Sequence, residues 1–305
     1  MLALALALDA VFGEPDWLWR RLPHPAVLFG RLIAWLEARL NQGSARRARG
    51  VLGLCVLLIV VLVPALALSH PVLVGVGQVI GAAILLAQQS LVSHVRAVAA
   101  ALDEGLAPAR QAVAMIVGRD PATLDEAGVA RAAIESAAEN FSDAVVAPAF
   151  WFAVAGLPGI VLYKAVNTAD SMIGYRSERY REYGWAAARL DDALNLIPAR
   201  LSGLILCAVG PGSLKVLWRD ARLHASPNAG WPEAATASAL DVALAGPRIY
   251  DGTRLEAPYV FAEGRRAPTA RDIEAACRLL WRGWALVLVA ALLLEVPGFL
   301  HFFGG

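Results

Sequence analysis

The sequence predicts an all-α fold: a polytopic membrane-embedded helical bundle with interrupted or re-entrant helices and amphipathic helices on its cytoplasmic side. Three observations predict it. The 305 residues are 58% hydrophobic and only 17% charged, and the mean hydropathy is +0.55, more apolar than soluble domains usually are. Three apolar stretches approach the roughly 20 residues that a spanning helix needs. Between residues 135 and 200, ionisable and amide side chains are set between and into apolar segments. There they are costly unless paired, metal-bound or facing water. The length suits one membrane-embedded domain over 1–305.

In chain order, residues 1–8 are apolar, but no basic stretch precedes them and Asp9 interrupts, so they do not read as a cleavable signal. Spans are expected near 51–68, 72–92 and 284–303. Pro64 should bend the first, and Ser69-His70-Pro71 should link it tightly to the second. Segments 144–163 and 201–217 are apolar but interrupted. The first holds Pro148, Gly156, Pro158 and Gly159; the second holds Gly203, Gly210, Pro211 and Gly212. Such segments often line a cavity rather than face lipid. Residues 93–135 read as amphipathic helices, with Pro108 and Pro121 near helix starts. Residues 218–283 read as a long polar loop, and within it 224–233 reads as a lid, a recognition loop or an anchor through Trp231.

Arginine placement sets the orientation. Arg39, Arg46, Arg47 and Arg49 precede the first span, which puts that end in the cytoplasm, and Arg96 and Arg110 follow the second. A full crossing by 144–163 would put the Arg-rich stretch 164–200 outside, against the rule. The interrupted segments therefore read as re-entrant, with their charged ends at a cytoplasm-facing site in the cell membrane.

The net charge of +1 and the scattered basic residues argue against nucleic acid as a partner. The three cysteines form no CxxC, which argues against a zinc site or disulfide framework. No P-loop, GxGxxG or HExxH occurs, and Asp251-Gly252-Thr253-Arg254 does not match a CDP-alcohol transferase pattern.

On a helix, Glu135, Glu139 and Asp143 share one face within an arc of about 80° at ~100° per residue. Such a stripe suits Mg²⁺, which binds one or two carboxylates plus substrate phosphates; it also fits a solvated acidic face. Lys164, Asn167 and Ser171 share another face, with Asp170 beside them and Tyr175, Arg176 and Arg179 following. Asn and Asp can complete a metal shell, and Lys and Arg can hold phosphate oxygens. Helix capping beside an interfacial tyrosine belt explains the same residues. Asp191-Asp192 with Asn195 reads as a metal element or as a helix cap. His24, before Pro25, is either a loop residue or functional.

Five collinear motifs are together similar to the adenosylcobinamide-phosphate synthase family (CbiB/CobD) of cobalamin biosynthesis. They are Leu8-Asp9 with Gly13-Glu14-Pro15, His24-Pro25 and Gly30; Glu135-Ser136 with Glu139-Asn140 and Ser142-Asp143; Lys164 to Arg179; Asp191-Asp192 with Asn195 and Pro198-Ala199-Arg200; and Ser226-Pro227-Asn228-Ala229-Gly230 to Glu233. The resemblance runs to about Gly252. It implies an integral membrane ligase that joins aminopropanol, or its phosphate, to a propionate carboxylate of adenosylcobyric acid, with ATP and Mg²⁺. Under it, Glu139, Asp143 and Asp170 are expected to be catalytic. Glu135, Glu139, Asp143, Asp170, Asp191 and Asp192 are candidate metal ligands. Lys164, Asn167, Ser171, Tyr175, Arg176, Arg179, His24 and Asn228 are candidates for binding substrate or phosphate. The bilayer and other membrane proteins of the corrinoid pathway are the expected partners. A signalling homologue or a corrinoid transporter are the competing classes, and an ATP-dependent amide-forming assay separates them.

Overall fold

The computed structural model describes residues 1–69, 74–118, 121–250, 253–255 and 257–303. Among them, four helical stretches are long and apolar enough to cross a membrane: Arg46–Leu68, Gly75–Glu104, Glu126–Ile173 and Ala270–Glu295. A fifth is counted if the pair Trp185–Leu194 and Leu196–Val209, bent by 45°, forms one span. The all-α expectation holds; among the described residues the only strands are four short ones. The expected link at 70–71 and the Asp251-Gly252 step lie outside the described residues.

The chain packs as two compact units built from interleaved stretches. The first takes residues 1–87, 147–195 and 291–305. It begins with α1 (Leu2–Phe12), α2 (Asp16–Trp19), α3 (Pro25–Leu40), α4 (Arg46–Leu68) and α5 (Val74–Leu85). The chain then enters the second unit through α6 (Gln88–Glu104), α7 (Leu106–Ala114), α8 (Glu126–Phe141) and a π-helical turn at Ser142–Val146. It returns to the first with α9 (Ala147–Ile173) and α10 (Trp185–Leu194). The second unit is completed by α11 (Leu196–Val209), α12 (Leu214–Asp220), α13 (Gly230–Leu240), two small antiparallel strand pairs, and α14 (Ala270–Phe303) as far as Ala290. β1 (Leu244–Ala245) pairs with β4 (Tyr259–Val260), and β2 (Arg248–Tyr250) with β3 (Thr253–Leu255).

In the first unit α4 and α9 pack together, with α3 and α10 against both and α5 against α9. Helix α4 is apolar all round but buries one stripe: Gly50, Gly53, Leu57, Val61 and Ala65. Its other apolar side chains, Leu52, Ile59, Val60, Val63 and Leu66 among them, are exposed, as lipid-facing residues of a spanning helix are. The interruption expected in 144–163 is present. Helix α9 breaks at Ala155 and Gly156, where Gly156 has φ +61°, a conformation glycine adopts without strain. Beyond the break, however, the helix continues through Lys164 to Ile173. The stretch 164–200 is therefore mostly helix, with only 174–184 as a loop. Tyr163, Val166 and Ala169, buried at helical spacing, hold that extension to the unit.

In the second unit the expected polar loop 218–283 is largely core. Helix α13 is buried on every side, with Trp231 at 5% exposure and Ala234, Ala235 and Ala237 at 0%. Residues 230–233 are thus neither a lid nor an interfacial anchor. Small residues let α11 come close: a Cβ on Gly203 would sit 3.0 Å from the Trp231 carbonyl oxygen. Helix α14 starts fourteen residues before the expected span. Ile273, Ala276, Cys277 and Leu280 form a buried stripe, while Arg271, Glu274, Arg278 and Arg282 on other faces mask it in the sequence. The segment 201–217 is interrupted as expected, by the turn 210–213 between α11 and α12.

A Cβ on Gly50 would lie 1.9 Å from the Tyr183 carbonyl oxygen, whereas Gly75 has open space around it. Gly50→Ala should therefore destabilise the protein by about 1–3 kcal/mol through overpacking, read as a lower apparent Tm. Gly75→Ala should leave Tm unchanged or raise it.

Candidate functional site

A carboxylate between two largely apolar helices needs a donor for each oxygen. In the first unit Asp191 on α10 is that group, at 9% exposure. Asn167 on α9 donates Nδ2–H to its Oδ1 at 3.3 Å, and Asn195 donates to its Oδ2 at 3.0 Å. The Tyr163 hydroxyl donates to Asn195 Oδ1 at 2.9 Å, fixing that amide. Asp191 and Asn195 therefore do not act as N-caps of α11. Asn195 instead occupies the break between α10 and α11, where the helices bend.

Lys164, Asn167, Asp170 and Ser171 lie on the last turns of α9. Lys164, Asn167 and Asp170 are partly buried, and Ser171 is exposed. Ser171 Oγ–H donates back to the Asn167 carbonyl at 2.9 Å. The chain turns sharply at the helix end: a Cβ on Gly174 would be 2.6 Å from the Asp170 carbonyl oxygen and would also meet its carboxylate. Glycine is thus required beside it. Asp192 forms an ion pair with Arg189 at 3.2 Å.

The loop 174–184 leaves Tyr175 and Arg176 exposed, with no hydrogen bond or ion pair among the described residues. Its middle is pinned. Arg179 donates from Nε and Nη2 to both oxygens of Glu37 on α3, at 3.0 and 2.9 Å, and Asn41 Nδ2 donates to the Arg179 carbonyl at 3.0 Å. The Glu37 carboxyl is held below its usual range mainly by its hydrogen bond to Arg179, against the opposing effect of burial. Tyr183, buried against Gly50 and Gly53, has its phenol pushed up to about 12 by burial and by the charge of Glu37. His24 caps α3. Its Nδ1 accepts from the Ala26 amide at 3.2 Å, and its Nε2 lies 3.0 Å from the Ile84 carbonyl oxygen. Arg179 and His24 thus have structural partners of their own.

The second unit holds Glu135, Glu139, Asp143 and Asn228. Glu135 is buried, and its Oε1 accepts from the Ala245 amide at 2.7 Å. Glu139 is exposed and Asp143 partly so. Asp143 lies in the π-helical turn, which changes the register assumed for a shared stripe. Among the described residues no group of three His, Cys, Asp or Glu side chains is arranged to hold a metal ion by itself. Fewer suffice for Mg²⁺ when substrate phosphates complete the shell. Asn228, at 7% exposure, accepts from Arg200 Nη1 at 3.3 Å. Sequence reasoning missed Glu37, which reads as one acid on an amphipathic helix, and it quoted Arg200 without giving it a role.

The chain is similar to known proteins along nearly its whole length. The model of the CobD/Cbib protein family matches residues 2–280. A cobalamin biosynthesis protein CobD from a Sinorhizobium species is 52% identical over 302 residues, covering 90% of this chain and 91% of the relative. The protein of the same name from Rhizobium meliloti is 49% identical over 316 residues, covering 97% of each. That from Rhodobacter capsulatus is 50% identical over 300 residues, covering 94% of this chain and 95% of the relative. No solved structure matches the chain.

The Glu37–Arg179 clamp has a defined pH response. Because the folded carboxyl is depressed, its stabilisation is complete above the unfolded value of about 4.3 and is lost as pH falls through the folded value. Glu37→Gln should lower the apparent Tm by a few degrees at pH 7 and speed hydrogen exchange in 174–184. The Tm difference from wild type should close in acid. A constant difference at every pH would assign the loss to packing instead.

Proposed function

Because the chain belongs to the CobD/CbiB family, we propose that it works in cobalamin biosynthesis as a multi-pass enzyme of the cell membrane. In this reading it joins 1-aminopropan-2-ol, or its phosphate, to a propionate carboxylate of adenosylcobyric acid. The observation that carries the reading is the arrangement at the end of α9. Lys164, Asn167, Asp170 and Ser171 follow one another along helical turns braced by Asp191, and an exposed Arg176 follows on a loop pinned at Arg179.

A carboxylate is a poor electrophile. One route is attack of a carboxylate oxygen on the terminal phosphorus of ATP, with ADP leaving. The amine nitrogen then attacks the acyl carbon, the C–N bond forms, phosphate leaves and the nitrogen loses a proton. Both steps gather negative charge, which positive groups fixed beforehand stabilise. Lys164 and Arg176 supply positive charge here: Lys164 as a point charge on α9 and Arg176 as a planar fork on the exposed loop. Mg²⁺ bound to the phosphates would neutralise more of that charge. In the first unit Asp170 is the partly exposed carboxylate suited to it; in the second, Glu139 and Asp143 are the exposed and partly exposed ones. Asp191 and Arg179 are better explained as braces, given their partners. ATP places the site on the cytoplasmic side, in keeping with the arginines of 174–200.

The test is ATP-dependent amide formation by purified protein with both forms of the amine. Asp143→Ala and Asp170→Ala should each lower the rate roughly 10²-fold or more without loss of membrane insertion; near-normal turnover in both removes the metal role. Lys164→Met should raise the KM for ATP or the phosphorylated amine while sparing the corrinoid, and Arg176→Lys should be impaired despite its charge. Wild-type saturation with lowered stability would instead make them anchors.

Cysteine introduced at the exposed Ser177, in a background lacking the native cysteines, should react with an impermeant reagent only after the cytoplasmic face is opened. Labelling of intact cells from outside would end the re-entrant topology. Ala187 is unsuitable for this purpose because it is buried at 2% exposure.

A further inference from the structure

Arg200 lies near the start of α11 in the second unit. Its guanidinium carbon sits 4.7 Å from the centroid of the Trp231 ring. Its Nη1 donates to the Leu196 carbonyl at 2.6 Å and to Asn228 Oδ1 at 3.3 Å. Every partner is neutral, and no carboxylate among the described residues pairs with it. This sets it apart from Arg179, Arg189, Arg219 and Arg265, each of which is paired with an acid.

The geometry has two consequences. The indole and the two acceptors fix the guanidinium plane, so the ordering cost is met before any ligand arrives. Nη1 is occupied, while Nε and Nη2 form no hydrogen bond among the described residues. Those two form the edge that meets a carboxylate with two parallel N–H···O bonds. At the start of α11, Leu196 and Ile197 are 47% and 55% exposed. Trp218, 54% exposed, stands edge-on to Trp231 with ring centroids 4.9 Å apart. A guanidinium held flat against an indole, with one edge unused, suits one carboxylate on a large molecule. A nucleoside triphosphate would bring several negative charges to it.

We infer that Arg200 binds the carboxylate of the acid substrate through its Nε and Nη2 edge, with Trp231 and Asn228 holding the guanidinium in place. The identity of that acid as a corrinoid rests on the ligase reading above; the recognition of a carboxylate rests on the Arg200 geometry alone.

Two measurements on the full-length protein in detergent test it. The first is equilibrium binding of adenosylcobyric acid and of adenosylcobinamide without ATP, followed by corrinoid absorbance. Wild type should bind the acid more tightly than the amide, which has no carboxylate there. Arg200→Lys should weaken the acid by about 10- to 100-fold through loss of the bidentate fork, and leave the amide unchanged. The second is steady-state turnover, in which only the KM for the acid should rise. Equal wild-type binding of acid and amide would overturn the inference, and needs no variant to fold. So would weakening of both corrinoids alike, or a raised KM for ATP or the phosphorylated amine in place of the acid. If wild type discriminates acid from amide but forms no amide bond, the ligase reading fails and the carboxylate site stands.

Discussion

The first unit is organised around a requirement of electrostatics: Asp191, set between two largely apolar helices, must have both oxygens satisfied. The donors come from different places, Asn167 one helix away and Asn195 four residues on. Both amides reach it only when α10 has one rotation against α9. Tyr163 removes the remaining freedom by donating to Asn195. An unpartnered buried polar atom costs about 1–3 kcal/mol, so neighbouring rotations are disfavoured more strongly than apolar packing alone would disfavour them. The positions of Lys164, Asp170 and Ser171 follow from that choice, because they share α9 with Asn167.

Much of this was legible in the sequence, and the parts that were not have physical reasons. The break in α9 is signalled by Gly156 and Pro158, and α4 by its uninterrupted apolar run. The extent of α9 was not legible, because Lys164 looks like the end of an apolar segment. The helix goes on because Val166 and Ala169 still have a core to meet, which only the tertiary structure supplies. The same cause hid the start of α14, where charge on outer faces covers a buried stripe. Helix α13 was misread because its sequence has the proline, glycine and tryptophan of a surface loop. Alanines on every side fit a helix enclosed by others, and a pattern without a polar face carries little periodicity to detect.

The candidate site was legible in residue type rather than in role. Carboxylates, amides and cations near apolar segments stand out in the sequence as needing explanation. Spacing does not reveal which of them brace the fold. Glu135 serves the Ala245 amide, and Arg179 serves Glu37 from 142 residues away. Partners so distant in sequence leave no local trace. The division of the chain into two interleaved units is likewise invisible to hydropathy, since both are built from helices of similar composition.

The loop between α9 and α10 has a topological consequence. Ile173 and Gly184 are packed so tightly that a Cβ on Gly184 would be 1.6 Å from the Ile173 carbonyl oxygen. The Glu37–Arg179 pair ties down the loop's rim. The covalent path through Tyr175 and Arg176, which form no hydrogen bond among the described residues, therefore contributes little to holding the two helices together. The polypeptide could be interrupted there, or a foreign sequence inserted, and non-covalent contacts would still align the flanking helices. Two separately synthesised fragments meeting at that point are the natural way to divide this protein into parts that reassemble.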